Sequence, residues 1–551
     1  MIDINVAYPW SKGYDGTGVV IAVLDDGIDY KNKDLIENYD ETASYDFIDY
    51  DNDPMPEKSH LDTSHGTKCA GIIASSKNRF CGVGVAFNSS IGGIRMLNLK
   101  TTDSIEASAL SYQSNYIDIY SCNWGPKDDG MRFGKPGPLA LKALRIGATK
   151  GRRSLGSIYV WSSGNGESRG DDCNTDGYVT NIYTIAIGAI LGNGSQTSYG
   201  ESCASMMAVT VSGNSIINSS DDIFITTDID DRCVESFPGT SSAASIATGI
   251  IALMLQSNPL LTWRDVQHLI VETSLITNPT DPRWMRNGAG KWFNPVFGFG
   301  RLDASSLVDR AYHWENVPTQ KKCRGKSKSG PWPITLGSSL LLTDNITKCY
   351  ENGEPIEDIS IQKLEHVQLV ISITHVCRGR LTIQLISPSG TRSVLLKPRQ
   401  KDSSSHGIHE WVFTSLHLWG EDPKGTWSIV VTDINNPAIC NVEKNYNHIS
   451  KIFKAKSRSN SNSDKKEEEN KKEDESHNVS GDEAETIEDN HERPKKYNKE
   501  DKSINKSHEK SKNSVSPQNH SMIERIVVEK YRLLQDDRGV EDNKPSTQFG
   551  I

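Results

Sequence analysis

The first 310 residues alternate short apolar runs with stretches of helical length, and this alternation restricts the chain to few folds. Residues 18–24, 158–161 and 183–187 are almost continuously apolar. Such strands are typical of parallel sheets that helices cover on both faces. The uncharged run 241–256 has the length of a core helix, and Thr262 is a candidate N-cap for the next helix. The pattern predicts an α/β domain with a parallel sheet over residues 1–315.

A second domain is predicted after residues 316–330, which have the Lys-, Pro- and Ser-rich composition of a linker. Beyond it the hydrophobic period becomes alternating, as in Val367, Leu369 and Ile371, and a Ser-Pro-Ser-Gly turn follows at 387–390. We predict an all-β sandwich over residues 331–453. The pattern weakens after Asn436, where one more strand is expected but the sequence is Asn-rich.

The remaining residues, 454–551, have the composition of a charged, mostly disordered tail. Ser, Asn, Lys, Glu and His dominate the segment, so too little apolar surface is available to form a core. One short amphipathic helix is compatible with the spacing of its apolar residues. These residues are Ile523, Ile526, Val527, Tyr531 and Leu534.

The net charge and hydropathy narrow the classes of partner. The formal charge is −10, which disfavours binding of nucleic acid through its phosphates and favours basic partners. No apolar run reaches the roughly 18 residues that a membrane span requires. The first residues are too few and too polar for a signal peptide.

Four side chains with roles in nucleophilic catalysis lie at the ends of predicted strands or the starts of predicted helices. They are Asp25, His65, Asn165 and Ser241. Because sites in open α/β sheets form at the carboxyl ends of strands, these residues can meet in one cleft.

The four residues have complementary roles in acyl transfer. Ser241, at a helix N-terminus, would be the nucleophile, His65 would carry its proton, and Asp25 would orient the imidazole. The Asn165 amide would stabilise the oxyanion together with the Ser241 N–H. Each residue alone is more simply interpreted as a turn, cap or surface residue. The order Asp, His, Asn, Ser, at separations of 40, 100 and 76 residues, is much harder to obtain by chance.

The surroundings of these residues resemble the subtilase family, and within it the kexin/furin-like proprotein convertases. The resemblance covers residues 3–455 and includes VLDDGI at 23–28, HGTKCAG at 65–71, CGVGVA at 81–86, IGGIRML at 91–97, WGP at 124–126, DDG at 128–130 and LTWRDVQH at 261–268. The β domain, with SPSGTRS at 387–393, is similar to the P domain of that family. The resemblance implies a subtilisin-like fold with Asp25, His65 and Ser241 as the triad and Asn165 as the oxyanion donor. Ser242 and Ser245 replace the usual alanine and proline, but both are small, so we expect activity to survive.

The resemblance also implies a cleft that selects basic side chains, since paired carboxylates suit a guanidinium group. The implied subsite residues are Asp128 and Asp176 for P1, Asp26 and Asp62 for P2, and Glu106 and Tyr178 for P4. The implied reaction is processing of secretory precursors after paired basic residues, with Arg at P1 and Lys or Arg at P2. Lys127 and Gly134 depart from the family pattern, and we expect a weakened requirement for arginine at P4.

Calcium is the cofactor that the resemblance implies, and carboxylate-rich loops suit this hard cation. The implied ligand sets are Asp46, Asp51 and Asp53; Asp128, Asp171 and Glu201, next to the P1 pocket; and Asp34 with Asn78. The family's aspartate for the third set would precede Met1. Without the resemblance, such Asp-rich loops are more often simple turns.

The cysteines and sequons indicate an oxidising compartment. The family pairing implies the disulfides Cys81–Cys233, Cys173–Cys203 and Cys323–Cys349. Cys69 is expected to be a free thiol near His65 or a small buried apolar residue, and the sequence suggests no partner for Cys122, Cys377 and Cys440. Sequons occur at Asn88, Asn193, Asn218 and Asn345. We expect the lumen of the secretory pathway and Golgi, the cell surface or the extracellular space.

Family members carry a signal peptide, a propeptide that assists folding and inhibits, and often a membrane anchor. We interpret the chain as an N-terminally truncated or processed form, with its own propeptide and basic precursor proteins as expected partners. Two alternatives remain. A catalytically inactive relative that binds basic partners is disfavoured by the intact triad, and a degradative subtilase of broad specificity is disfavoured by the acidic subsites and the P domain.

Overall fold

The structure is a computed structural model that describes residues 2–57, 63–98, 101–213, 224–325, 328–329, 332–351, 354–356, 361–440 and 526–536. The chain divides into one compact unit of Met1–Asn441 with Ile523–Ile551 and a second of Val442–Met522. All of the described residues lie in the first unit.

A seven-stranded, wholly parallel sheet forms the centre of the N-terminal domain. Its strands are β1 (Val20–Asp25), β2 (Tyr45–Asp46), β3 (Ser90–Arg95), β4 (Ile119–Cys122), β5 (Ile158–Ser162), β6 (Thr184–Ile190) and β7 (Ala208–Val211). Their spatial order is β2-β3-β1-β4-β5-β6-β7. Strands β5 and β6 are buried at every position, as their apolar sequence predicts, and so is β4, which was not among the predicted strands. The predicted parallel α/β fold is confirmed.

Helices cover this sheet. In the described residues they are α1 (Ala7–Ser11), α2 (His65–Ala74), α3 (Asp103–Ser111), α4 (Pro138–Lys150), α5 (Thr240–Ser257), α6 (Trp263–Thr273) and α7 (Ala304–Tyr312). The predicted cap of α6 is present as a capping box between Thr262 and Asp265. Two short hairpins, β8 (Thr226–Asp228) with β9 (Arg232–Val234) and β10 (Met285–Arg286) with β11 (Trp292–Phe293), complete the domain.

Helix α5 is the central buried helix. It is long and apolar enough to cross a membrane by those two criteria alone, but 89% of the window that meets them is buried inside the domain. It packs against β4, β5, β6 and β7 and against α2 and α7. Its apolar composition is therefore explained by the protein core.

The C-terminal domain is a β-sandwich, as predicted. One sheet contains β12 (Lys322–Arg324), β13 (Lys328–Ser329), β17 (Lys363–Ile373), β20 (Ile408–Ser415) and β22 (Ile526–Asp536). The other contains β14 (Ser339–Ile346), β18 (Leu381–Ile386), β19 (Arg392–Leu396) and β21 (Gly425–Asp433), and β15 (Cys349–Glu351) pairs with β16 (Glu354–Ile356). Strands β12 and β13 lie inside residues 316–330, so this segment is not merely the linker that its composition suggested.

Strand β22 corrects two predictions about the end of the chain. Residues 526–536 form a strand and not the amphipathic helix that their apolar spacing allowed. The strand pairs antiparallel with β17 on one side and with β12 and β13 on the other. It therefore supplies the strand that was expected soon after Asn436, and the sandwich does not end at residue 453. The cause is tertiary, since pairing across the sheet overrides a weak helical period.

Buried charges connect the two domains. The Arg264 guanidinium of α6 donates to both oxygens of Glu365 in β17, through Nε at 3.0 and 3.1 Å, and His268 Nε2 lies 2.8 Å from Glu365 Oε1. Burial opposes the charged carboxylate, but these hydrogen bonds lower the pKa of Glu365 to about 2. Removing either partner would leave a buried charge without compensation, so the cluster strongly favours the docked arrangement.

We expect that deleting residues 523–551 prevents the sandwich from folding, because β22 lies between β12 and β17 and both would lose their backbone partners. Secreted yield and thermal unfolding would measure this. The matched control replaces residues 454–520 with a flexible linker of about 20 residues and keeps β22. A deletion variant that melts at the temperature of the full chain would contradict the assignment of β22.

Candidate active site

Asp25 and His65, the predicted orienting acid and general base of the triad, are hydrogen-bonded to each other. Asp25 is the last residue of β1, His65 is the first residue of α2, and His65 Nδ1 lies 2.8 Å from Asp25 Oδ2. Burial opposes protonation of the imidazole, but the Asp25 charge raises the pKa of His65 well above its ordinary value. A Cβ at Gly66 would lie 2.3 Å from the Gly27 carbonyl oxygen, so glycine is needed for α2 to approach β1 this closely.

Asp26 caps the start of α2. Its Oδ2 accepts from the His65 N–H at 3.1 Å and its Oδ1 from the Gly66 N–H at 2.8 Å. Burial and the charge of Asp25 raise the pKa of Asp26 to about 7. The structure thus shows a positioning role for Asp26 beside the triad, while its role toward P2 stays a prediction. Asp62, the other P2 candidate, lies outside the described residues.

Ser241 lies in the first turn of α5, and its Oγ donates to the Asn123 carbonyl at 3.4 Å. The serines that depart from the family pattern form hydrogen bonds around it. Ser242 Oγ donates to the Gly239 carbonyl at 2.9 Å, and Ser245 Oγ donates to the Ser241 carbonyl at 2.9 Å. The helix start therefore accommodates both hydroxyls without leaving either unpaired, while survival of activity with these serines stays a prediction.

Asn165 is held by its amide oxygen. The Thr240 N–H and Oγ1 donate to Asn165 Oδ1 at 2.9 and 3.1 Å, and the Gly164 N–H donates to Thr240 Oγ1 at 3.3 Å. Because both groups facing this end are donors, the end is the oxygen and the Nδ2 donors point away from Thr240. Asn165 is thereby held against Thr240, the residue before Ser241, and its role as an oxyanion donor stays a prediction.

The two P1 candidates lie in one acidic environment. Asp176 Oδ1 accepts from the Tyr178 N–H at 2.7 Å, and Asp128 Oδ2 accepts from the Asn165 N–H at 2.7 Å. Burial, reinforced by the charges of Asp128 and Asp171, raises the pKa of Asp176 to about 8. A cationic ligand would relieve this repulsion, so the electrostatics of the pair favour a basic side chain.

The P4 candidates contact each other. Tyr178 OH donates to Glu106 Oε2 at 2.7 Å, and the Tyr178 ring stacks on Trp161 at 5.0 Å. Gly134 forms a bridge with Asp176, and a Cβ there would lie 2.4 Å from the Pro126 Cβ. The structure thus has no room at Gly134 for the acidic side chain of the family, while Lys127 is exposed.

The second predicted calcium set surrounds Gly166. A Cβ on that residue would lie 2.6 Å from Asp171 Cβ, 2.7 Å from Glu201 Oε1 and 3.1 Å from Asp128 Cβ. Burial, together with the charges of Asp171 and Asp128, raises the pKa of Glu201 well above its ordinary value. Three mutually repelling acidic side chains packed around one glycine offer the carboxylate oxygens that a cation such as calcium prefers.

Two observations limit this fit. Asp171 Oδ1 accepts from Arg399 Nη2 of the P domain at 3.0 Å, so one carboxylate is partly neutralised. Among the described residues, a set of three ligand atoms within 4.8 Å of one another occurs at Asp25, His65 and Cys69, not at these carboxylates. The carboxylates would therefore have to draw closer around an ion.

The other predicted calcium ligands differ. Asp46 is buried and accepts from Arg95, and Asp51 and Asp53 accept from the N–H groups of residues 53 and 55 at 2.9 and 3.2 Å. This loop has the hydrogen bonds of successive turns and does not fit a cation as it stands. Asn78 Nδ2 donates to Asp34 Oδ1 at 2.9 Å, so the third pair is brought together.

The structure contains the three predicted disulfides and one that sequence reasoning missed. They are Cys81–Cys233, Cys173–Cys203, Cys323–Cys349 and Cys377–Cys440. The fourth pair is visible only in the folded chain, where Cys377, shortly after β17, lies next to Cys440, shortly after β21. Cys69 and Cys122 are free and buried, and Cys69 Sγ lies 4.0 Å from His65 Nδ1. Burial raises the pKa of Cys69, which keeps it a thiol.

Comparison with known proteins identifies both domains. The Subtilase family pattern matches residues 16–300, and the Proprotein convertase P-domain pattern matches residues 364–443. A serine protease of Aeromonas sobria has the same fold, with a TM-score of 0.69, 22% identity and coverage of 78% of this chain and 84% of its own.

Curated relatives show higher similarity. "PC3-like endoprotease variant B" of Hydra vulgaris is 50% identical over 79% of this chain and 61% of its own length. Proprotein convertase subtilisin/kexin type 4 of Mus musculus is 44% identical over 78% and 64%, and furin of Rattus norvegicus is 43% identical over 82% and 55%. The chain thus spans less than two thirds of the length of these relatives.

One finer prediction is not confirmed by these matches. Residues 119–124, 201–206 and 366–375 suggest a particular likeness to proprotein convertase subtilisin/kexin type 7, but the relatives described above support only the wider group. The domain order, the two family matches and these relatives agree with one another. The chain belongs to the subtilase family and, within it, to the kexin/furin-like proprotein convertases.

Proposed function

We propose that this protein is a calcium-dependent serine endopeptidase that processes secretory precursor proteins after paired basic residues. The observation that carries the proposal is the hydrogen-bonded Asp25–His65 pair at the sheet edge where α5 begins, with Ser241 in its first turn. Asn165, oriented by Thr240, completes the constellation. This arrangement of nucleophile, base, orienting acid and oxyanion donor performs acyl transfer.

The first half-reaction forms an acyl-enzyme. His65 accepts the Ser241 hydroxyl proton as Oγ attacks the carbonyl carbon of the scissile peptide, and Asp25 stabilises the resulting imidazolium. The oxyanion accepts hydrogen bonds from Asn165 Nδ2 and the Ser241 N–H. His65 then protonates the leaving amine, and the C–N bond breaks.

The second half-reaction releases the product. A water molecule gives a proton to His65 and attacks the acyl carbon, so that a second tetrahedral oxyanion forms in the same site. As it collapses, Ser241 Oγ regains its proton from His65 and the new carboxylate leaves. No group other than the four residues is required to move these protons.

Specificity for basic residues rests on the acids beside the catalytic centre. Asp128 and Asp176 would pair with a P1 arginine. Burial, and to a smaller extent neighbouring carboxylates, raises the pKa of each, and a guanidinium would stabilise their charged forms. The Glu106 and Tyr178 pair would contact P4. Processing of precursor proteins in the secretory pathway accords with the disulfides and with the exposed sequons at Asn88, Asn193 and Asn345, while Asn218 lies outside the described residues.

Calcium would be held by Asp128, Asp171 and Glu201. When bound, its positive charge would offset the repulsion between these carboxylates. The acids that line the P1 pocket would then stay ionised. The same residues surround Gly166, whose neighbour Asn165 donates its N–H to Asp128. The metal set, the specificity acids and the oxyanion donor are therefore connected through one short loop.

We expect hydrolysis of a fluorogenic Arg-X-Lys-Arg peptide by the chain co-expressed with a convertase propeptide, and complete loss of turnover in Ser241→Ala. Replacing Arg by Ala at P1 should abolish cleavage, whereas replacing it at P4 should have a small effect. A folded, calcium-loaded protein without turnover would instead indicate a binding relative. A P4 requirement as strict as that at P1 would contradict the argument from Gly134.

We expect Asn165→Ala to lower kcat by roughly 100- to 1000-fold with little change in KM, because the amide acts on charge that develops in the transition state. Single-peptide kinetics of the folded variant would measure both constants. Thr240→Ser, which retains the hydroxyl donor to Asn165, is the matched control and should stay near the wild-type rate. A rise in KM at unchanged kcat would contradict the role of Asn165.

We expect Gly166→Ala to abolish stabilisation by calcium, since its methyl group would lie 2.6 to 3.1 Å from atoms of Asp128, Asp171 and Glu201 and would displace these side chains. The measurement is the thermal unfolding midpoint across a calcium titration, which does not depend on activity. Gly82→Ala is the control, because a Cβ there would have no atom closer than 3.7 Å. Equal calcium shifts in both variants would overturn this site.

A further inference from the structure

A cleft of about 880 Å³ lies between the two domains, away from the catalytic residues. Helix α4 and residues 177–183 form its wall on the catalytic side, and β12 and β20 form its wall on the P-domain side. Five of its lining residues are cationic. They are Lys135, Lys142, Arg145, Lys322 and Arg324. We refer to it as the basic cleft.

The charge of the basic cleft is not compensated locally. All five cations are exposed, and no aspartate or glutamate is among the residues that line the cleft. Within the described ranges, none of the five forms an ion pair. The chain as a whole carries a net charge of −10, so this concentration of positive charge runs against its composition.

Aromatic rings hold two of the cations in place. Lys322 Nζ donates to Tyr183 OH at 3.0 Å, and Lys135 Nζ lies 5.9 Å from the centroid of the Trp411 ring. Such contacts stabilise a cation but leave most of its hydrogen-bonding capacity unused, because an ammonium has three donors. The cleft thus has aromatic walls with charged donors available to an anionic ligand.

We propose that the basic cleft binds an acidic stretch of the protein substrate, separate from the basic cleavage motif. Gly177, which lines the cleft, lies between Asp176 and Tyr178, the candidates for P1 and P4. A substrate in the active site would therefore place neighbouring segments of its chain near the cleft. The enzyme would then recognise two segments of its substrate that carry opposite charge. This inference rests on the proposed function.

The shape of the cleft favours a peptide over a sulfated polysaccharide. Its walls come from two domains and include the buried rings of Tyr183 and Trp411, so it is a recessed cleft of limited length. A long polyanion is better matched by an extended, open stripe of cations. Cations line the cleft from both domains, Arg145 from α4 and Arg324 from β12, so a short stretch of acidic residues could contact both.

Binding is tested first, independently of turnover, on the full chain as Ser241→Ala. The probe is a fluorescein-labelled ten-residue peptide with six glutamates, and its partner peptide has glutamine at those positions. We expect binding of the glutamate peptide only, weakened about 3- to 10-fold by Lys142→Gln with Arg145→Gln, the size expected for loss of two exposed charge pairs. Lys12→Gln with Lys150→Gln, which removes equal charge outside the cleft, should leave binding unchanged.

Cleavage is tested second, with substrates that carry the same basic motif with or without the acidic stretch. The acidic stretch should lower KM in the wild type, and the Lys142/Arg145 variant should lose that gain while cleaving the plain substrate normally. Equal binding of both peptides, equal effects of both variant pairs, or binding of sulfated oligosaccharide in place of the acidic peptide would each overturn the proposal. Failure to cleave any substrate, with the acidic peptide still bound, would count against the proposed function alone.

Discussion

The packing of α5 against the parallel sheet is the constraint on which the candidate active site depends. Helix α5 is buried along nearly its whole length, and its first turn lies at the carboxyl edge of the sheet, where Ser241 Oγ donates to the Asn123 carbonyl just after β4. Strand β1 ends with Asp25 at the same edge, and α2 begins there with His65. Core packing therefore places the start of α5 at the same edge of the sheet as the hydrogen-bonded Asp25–His65 pair.

The second organising feature is the concentration of carboxylates behind the catalytic centre. Asp128 accepts from the backbone of Asn165, Glu201 accepts from the backbone of Gly166, and Asp171 pairs with Arg399 of the P domain. One loop thus joins the oxyanion donor, the acids and the second domain. The P domain thus contributes an electrostatic partner to the catalytic domain, in addition to the separate buried contacts of Glu365 with Arg264 and His268.

Sequence reasoning succeeded where the signal is local. Continuous apolar runs predicted the parallel strands, and alternation predicted the sandwich, since burial on two faces or on one leaves a direct trace in composition. It failed at 526–536, because a strand separated by many charged residues from the sheet that it joins carries no local mark of its partner. It also missed Cys377–Cys440 for the same reason, since pairing depends on distances that only the folded chain defines.

The sequence by itself determined the residue types of the site and their order along the chain, because catalysis by serine requires a nucleophile, a base, an orienting acid and an oxyanion donor. Tertiary structure decided which of the acids remain available. Asp46 and the set of Asp128, Asp171 and Glu201 are all acidic residues that the sequence offers as calcium ligands. Arg95 neutralises Asp46, whereas the set around Gly166 retains an excess of negative charge. Only the fold could distinguish them, because a carboxylate's pKa and its capacity to bind a cation depend on the charges and solvent that surround it.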